Sequence, residues 1–381
     1  MATSDVPRRT VGEWSMPRGS IVLLTIAGLV VTVAGIKAIS SLVGPVFLAL
    51  MLVVAVHPVQ GWLRAKGVPS WIAFLAVLLA VYGILIGLFA SLVYSVARLA
   101  SILPEYSAKF DSLVNSFQKF LTSHGVSQDK VHDTISNVDA SKVVGVVGDV
   151  LQSSAGLASS LLLVLTLLIF MAADSMGAGE RMAILGAQRP DIAHGFSSFA
   201  AGTRSYLVVS TVFGLIVAVI DAGALWAIGV PLPILWGLLS FITNYIPNVG
   251  FIIGLIPPAL LGLLNGGVGQ MVLIIIVYSV INVVIQSIIQ PKFVGDAVNL
   301  STTLTFISLI FWAWAIGPLG AILAVPLTLL SKALLIDIDP ATRWADVLLS
   351  SNGTSNRIDE SPADEPPAAD EPGAKTLPRP E

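Results

Sequence analysis

Long apolar runs separated by short polar loops fix what this chain can become. Ser20–Ile36, Leu42–Val56, Trp71–Val96, Leu157–Ala173, Tyr206–Ile228 and Val268–Ile289 are each almost free of charge. A run of about 20 such residues spans the roughly 30 Å of bilayer hydrocarbon as a helix. Of the 381 residues, 55% are apolar and 11% charged. A soluble domain carries about 25% charge, so this chain cannot cover a soluble globule of its size. A soluble enzyme, a nucleic-acid binder and a disordered protein are thereby excluded. The net charge of −3 gives no sign of a nucleic-acid partner. Cysteine is absent, which removes disulfides, thiolate metal sites and thiol catalysis. The expected fold is all-α: a polytopic membrane helical bundle in the bilayer, with an extracytoplasmic helical insertion.

The domain plan follows the polarity. Residues 1–19 are a polar N-terminal segment with Arg8, Arg9 and Arg18. Residues 20–97 hold the first three spans, with Gly44–Pro45 read as the turn into the second and His57–Pro58 as its end. Residues 98–152 carry five basic and six acidic residues. Leu99, Leu103, Tyr106, Phe110, Leu113, Phe117 and Phe120 recur there at spacings of four and three, an amphipathic helix. A weaker pattern follows at Val131, Ile135 and Val138. Packing within the protomer and a coiled-coil contact between copies of a homo-oligomer are both open. Residues 153–336 hold the remaining spans, and 337–349 a short C-terminal segment. The tail 350–381 has seven acidic residues and six prolines, a composition expected to stay disordered.

Basic residues in the N-terminus and in the 57–69 and 174–205 loops fall on one side if each run crosses once. The positive-inside rule makes that side cytoplasmic. Both termini are then cytoplasmic, in a bacterial inner membrane, and 98–152 lies outside.

Two apolar segments do not fit a single crossing. Trp236–Leu264 has 29 residues and would reach about 44 Å as one helix. Asn244, Pro247, Asn248 and Gly250 break its middle, and each half, at about 20 Å, is too short to cross. Leu304–Leu335 is broken likewise at Gly317, Pro318 and Gly320. Re-entrant hairpins fit both; full crossings at a break leave the same parity, so a count of eight rather than six is open. Pro247 and Gly250 are expected to hold the first turn, Gly250 at a position open to positive φ.

A break frees backbone groups that hydrocarbon cannot satisfy, so it is kept where protein or a solute path meets it. Asn244 and Asn248 are candidates for such a path, or local caps of the half-helices. Tyr278, Asn282, Gln286 and Gln290 recur every four residues and form one polar stripe, which belongs inside a bundle. Asp221 is a carboxylate within a span, a candidate ion or proton site, or else a water-exposed helix end. Lys292 and Asp296 form a candidate gate pair, or a solvated turn. No zinc-binding His-Glu-x-x-His, phosphate-binding loop or Gly-x-Ser-x-Gly element occurs. No enzymatic activity, cofactor or metal is expected.

Several motifs carry a family resemblance. Asn244-Tyr245-Ile246-Pro247-Asn248-Val249-Gly250 resembles the Asn-aromatic-Ile-Pro-x-x-Gly signature of the autoinducer-2 exporter family. Gln290-Pro291-Lys292-Phe293-Val294-Gly295 is similar to its Gln-Pro-Lys-x-x-Gly loop. Gly317-Pro318-Leu319-Gly320 with Pro326 resembles its C-terminal element, and His57-Pro58 with Gly67-Val68-Pro69 its early part. The resemblance spans residues 20 to 338. One departure is Ser301, where many relatives have proline. The resemblance implies a membrane transporter: members export autoinducer-2, and some exchange sodium for protons. The expected function is transport of a small polar solute or monovalent cation, driven by a proton or sodium gradient. A passive channel and a non-transporting receptor or scaffold are the alternatives.

Overall fold

The computed structural model describes residues 17–123, 145, 148–149, 151–247, 249–290, 300–339, 342, 345 and 349. The N-terminal 16 residues, the Val131–Val138 pattern, Asn248, the Lys292–Asp296 pair and the acidic tail lie outside them. Helices α1 (Arg18–Ala38), α2 (Ser40–Ala65) and α3 (Ser70–Ile102) come first. A 3₁₀ turn, Leu103–Tyr106, carries α3 into α4 (Ser107–Ser123). Then follow α5 (Ser154–Ser175), α6 (Ala178–Gln188) and α7 (Pro190–Ile228). α8 (Pro233–Thr243) and α9 (Gly250–Asn282) flank the first break, and a π-helical turn, Val283–Ile289, continues α9. α10 (Thr302–Ile316), α11 (Pro318–Ile322), α12 (Ala324–Lys332) and a second π turn, Ala333–Asp337, surround the second. Six of the described helices are long and apolar enough to cross a membrane. Their outward faces are apolar, as at Leu23, Leu79, Leu162, Val219 and Ile276. Side chains of this kind suit hydrocarbon and not water. The protein is a polytopic membrane helical bundle.

The first break is a hairpin. α8 runs back along the C-terminal half of α7: Asn244 lies at Gly214, and Gly237 is pressed against the Ala218 carbonyl and Ala222. Past the break, α9 runs back along α8, with Gly250 on the Thr243 carbonyl and Gly254 at Ser240 and Thr243. α9 has two limbs. Gly267, at φ 78° and ψ −168°, divides residues 250–266 from 268–282. That backbone lies outside the L-residue regions, which is why a glycine sits there. The first limb thus returns toward the Ile228 end of α7, and the second runs down again.

The second break is also a hairpin. Gly317 turns the chain at φ 83°, and Gly320 packs on the Trp312 carbonyl. Trp312 Nε1 donates to Thr328 Oγ1 at 3.1 Å, tying α10 to α12. α12 lies along the N-terminal half of α7, with Gly202 at Leu329 and Gly195 at Ile338. The 39 residues of α7 therefore form one rail, about 58 Å long. The two hairpins lie along it with their open ends at opposite ends of the rail. Their tips meet: Ile246 and Val249 pack on a core of Leu309, Trp312, Leu323, Phe47 and Met51.

Several expectations change. Gly250 has no positive φ. It is needed because a Cβ would collide with the Thr243 carbonyl oxygen. Gly44 and Pro45 are not the turn into α2, which starts at Ser40. Both are buried within it, and Gly44 makes room for Leu319 and Ile316 at the second hairpin tip. Pro58 does not end α2, which runs on to Ala65. A proline leaves the carbonyl four residues before it without its helical N–H. Here that is Val54, whose carbonyl accepts from Arg204 Nε at 3.5 Å. The polar 174–205 stretch is helix, in α6 and the start of α7. Leu99 and Tyr106 pack against the Leu235–Trp236–Ala259–Ile274 cluster, so this end of the insertion packs within the protomer. Ser301 caps α10, its Oγ accepting from Leu304 N at 3.3 Å.

Candidate functional site

Three helices build a polar column beside the first hairpin tip. α9 and the π turn after it contribute Tyr278, Asn282 and Gln286, α8 and its C-cap contribute Ser240, Thr243 and Asn244, and α7 contributes Ser210 and Asp221. Asn244 Nδ2 donates to the Ser210 carbonyl at 3.0 Å. Gln286 Nε2 donates to Asn244 Oδ1 at 3.0 Å and to Asn282 Oδ1 at 2.9 Å. Asn282 Nδ2 donates to the Tyr278 carbonyl at 2.9 Å. Asn244 stands at the C-cap of α8, but its side chain bonds to neighbouring helices and not to its own. It links α7 to the second limb of α9. Gly214 is small because a Cβ there would stand 2.7 Å from Asn244 Nδ2.

The freed backbone at the break is met by other groups. Tyr206 Oη donates to the Tyr245 carbonyl at 2.6 Å, and Tyr245 Oη pairs with Thr211 Oγ1 at 2.7 Å. The Phe241 ring stands edge-on to Tyr245, 5.7 Å away.

Tyr278, Asn282, Ser240 and Thr243 are buried, and Asp221 has 0% exposure. Asp221 is not a water-exposed helix end. Among the described residues neither of its oxygens, nor Tyr278 Oη, makes a well-formed hydrogen bond, and the Ser240 hydroxyl is the polar group that both approach. Both residues face Ser240 across the α7–α8–α9 junction. A buried polar group without a partner costs about 1–3 kcal/mol, and an unpaired charge more. Beside them a small cavity is lined by Ser240, Thr243, Asn244, Tyr278, Asn282 and Gln286, with room for about one water molecule. Gln286 lies in the π turn, an irregularity enriched at functional sites.

Of the residues picked from the sequence, Asn244, Tyr278, Asn282 and Gln286 come together in one network. Asp221 joins their buried end. Gln290, one turn on, is half-buried and outside the network. Pro247 lies in the first tip, and Gly317, Pro318 and Gly320 form the second. Asn248, Lys292 and Asp296 are outside the described residues. Ser240, Thr243 and Ser210 were missed. Single hydroxyls in apolar helices read as neutral, though Ser210, Gly214 and Asp221 recur at helical spacing on one face of α7. Among the described residues no cluster of three or more His, Asp or Glu could hold a metal.

The sequence of this chain has relatives among known proteins. The model of the family described as AI-2E family transporter matches residues 26–339. The chain belongs to this family. Relatives of the AI-2E chain include "Putative transport protein YhhT" of Escherichia coli (strain K12), 30% identical over 82% of this chain and 90% of that one. "Putative transport protein" of Haemophilus influenzae (strain ATCC 51907 / DSM 11121 / KW20 / Rd) is 30% identical over 86% of this chain and 95% of its own. "AI-2 transport protein TqsA" of Escherichia coli (strain K12) is 27% identical, covering 82% of this chain and 91% of that one. These relatives support a role in membrane transport for this AI-2E family chain.

Proposed function

We propose that this AI-2E family protein moves a small polar solute or a monovalent cation across the bacterial inner membrane along the Asn244–Gln286–Asn282 column. Asp221 acts as the proton- or ion-carrying group that couples the movement to a gradient, without enzymatic chemistry or a cofactor. Autoinducer-2 is one candidate cargo, from the name of the Escherichia coli relative. The observation that carries this reading is a fully buried carboxylate with the Ser240 hydroxyl as its one polar neighbour among the described residues and no counter-cation, at the end of a column of neutral amides. A neutral amide offers both donors and acceptors, which suits a polar solute shedding water. A carboxylate so buried is retained where a proton or cation meets it during a cycle.

Flux in proteoliposomes, with and without an imposed proton or sodium gradient, tests the reading. Gradient-dependent accumulation is expected. Flux that only follows the solute's own gradient indicates a passive channel, and no flux of any polar solute leaves a receptor or scaffold. Gln286→Leu removes the link between Asn244 and Asn282 with little change in volume. It is expected to lower flux per folded protein about tenfold, the equivalent of roughly 1.4 kcal/mol. Parent-like flux from the folded variant would make the stripe a packing feature.

Orientation belongs to the same reading, with both termini cytoplasmic and α4 outside. The native chain has no cysteine, so a Ser123→Cys variant gives a clean label. A membrane-impermeant maleimide is expected to reach it from the periplasmic side. Labelling only from the cytoplasm would invert the topology.

A further inference from the structure

Arg204 stands on α7 just before the apolar run that begins at Tyr206, and it is half-buried against α2. Its Nε donates to the Val54 carbonyl that Pro58 leaves open. That long contact turns the guanidinium toward α2, and among the described residues its two Nη groups have no hydrogen-bond partner. His57 follows Val54 by one turn of α2 and lies within electrostatic reach of both Arg204 and Arg64. Arg64 follows by two further turns on the same face, since seven residues nearly close two helical turns. His57 and Arg64 are also half-buried.

Among the described residues none of the three groups is paired with a carboxylate. α2 contains no acidic residue. The acidic residues of α7 are Asp191 and Asp221, about 20 Å and 26 Å from Arg204 along the axis. Two partly dehydrated guanidiniums beside an imidazole repel one another unless an anion joins them. Guanidinium forks match phosphate in shape and charge.

The level along the helix says where such an anion would come from. His57 is the first polar residue after the Leu42–Val56 run, and Arg204 lies two residues before the Tyr206–Ile228 run. His57 therefore stands at the edge of the hydrocarbon, and Arg204 meets α2 one turn deeper, at Val54, within reach of that edge. Trp62, 55% exposed and under the Lys66 ammonium at 3.7 Å, is at the same end of α2. Exposed tryptophans and lysines mark the headgroup layer. Basic pockets between helices at this level suit acidic lipid heads.

We infer that Arg204, His57 and Arg64 form a phosphate-binding site between α2 and α7, filled by the headgroup of an anionic phospholipid. The bound phosphate holds the start of α7 against α2 and so steadies the rail on which both hairpins lie. The site is independent of what the protein transports.

The test uses the purified full-length protein in detergent, titrated separately with phosphatidylglycerol, phosphatidylcholine and inorganic phosphate. Thermal unfolding and native mass spectrometry read stability and retained lipid. Phosphatidylglycerol is expected to raise the Tm and to remain bound, and phosphatidylcholine to do neither. Arg204→Gln is expected to raise the half-saturating phosphatidylglycerol concentration about tenfold, and Arg204→Lys less. If Arg204→Gln fails to fold, Arg64→Gln carries the test, with a smaller shift in the same direction. A Tm rise with inorganic phosphate equal to that with phosphatidylglycerol, lost in the same variants, would keep the phosphate site and overturn the lipid as its occupant. A phosphatidylglycerol effect that is absent, or unchanged in both variants, would overturn the site itself.

Discussion

Gly250→Ala is expected to abolish most of the folded protein, although it adds a single methyl group. That methyl would overlap the Thr243 carbonyl oxygen, a backbone atom that no rotamer change can move. α8 cannot retreat, because Gly237 is already pressed against the Ala218 carbonyl on α7, 2.7 Å from where a Cβ would stand. Overpacking of a core typically costs about 1–3 kcal/mol, and a clash between two backbones exceeds that range. Gly254→Ala should be milder. Its nearest neighbour would be Thr243 Oγ1 at 3.0 Å, a side-chain atom. Gly269→Ala, with open space around it, should resemble the parent. Monodisperse yield and Tm in detergent would rank the three. A Tm for Gly250→Ala equal to that of the parent would mean that the two half-helices are not held this closely.

Asp221→Asn is expected to do the opposite: leave the fold intact and stop coupled transport. The substitution keeps the shape and removes the charge, so the burial penalty of the carboxylate disappears. Stability should stay level or rise. Gradient-driven flux should fall about tenfold or more, the equivalent of at least roughly 1.4 kcal/mol in the limiting step. Ser240→Ala should lower flux less, because it leaves the charge in place. Gradient-driven flux by Asp221→Asn at the parent level would remove the carboxylate from the mechanism.

Much of this architecture is written in hydropathy. The six long apolar helices follow from uncharged runs, and both hairpins from segments too long for one crossing and broken by Pro, Gly and Asn. The polar stripe was legible because Tyr278, Asn282 and Gln286 share a helical period. Its partners were harder to see. Nothing local in the sequence says that Asn244 reaches Ser210 and Gln286 instead of capping its own helix, since that depends on how three helices pack. The role of Pro58 was hidden for the same reason. A proline reads as a helix end, and only the arrival of Arg204 from α7 shows how its open carbonyl is met. Gly250 was placed correctly at the break, but for the wrong cause. The constraint is the neighbouring strand of backbone, not its own φ.

The opposed hairpins have an electrical consequence. Each tip joins the C-terminus of one half-helix to the N-terminus of the next: Thr243 to Gly250, and Ile316 to Pro318. A helix carries roughly half a negative charge at its C-terminus and half a positive charge at its N-terminus. At each tip the two lie side by side and cancel in pairs. Transporters that aim an unpaired helix N-terminus at their cargo have an anion preference built into the backbone. Here the peptide dipoles give no such bias. Asp221 is the single formal charge among the fully buried described residues. The sign of the field felt by a solute in the middle of the protein therefore rests on one carboxyl group, and one proton is enough to erase it.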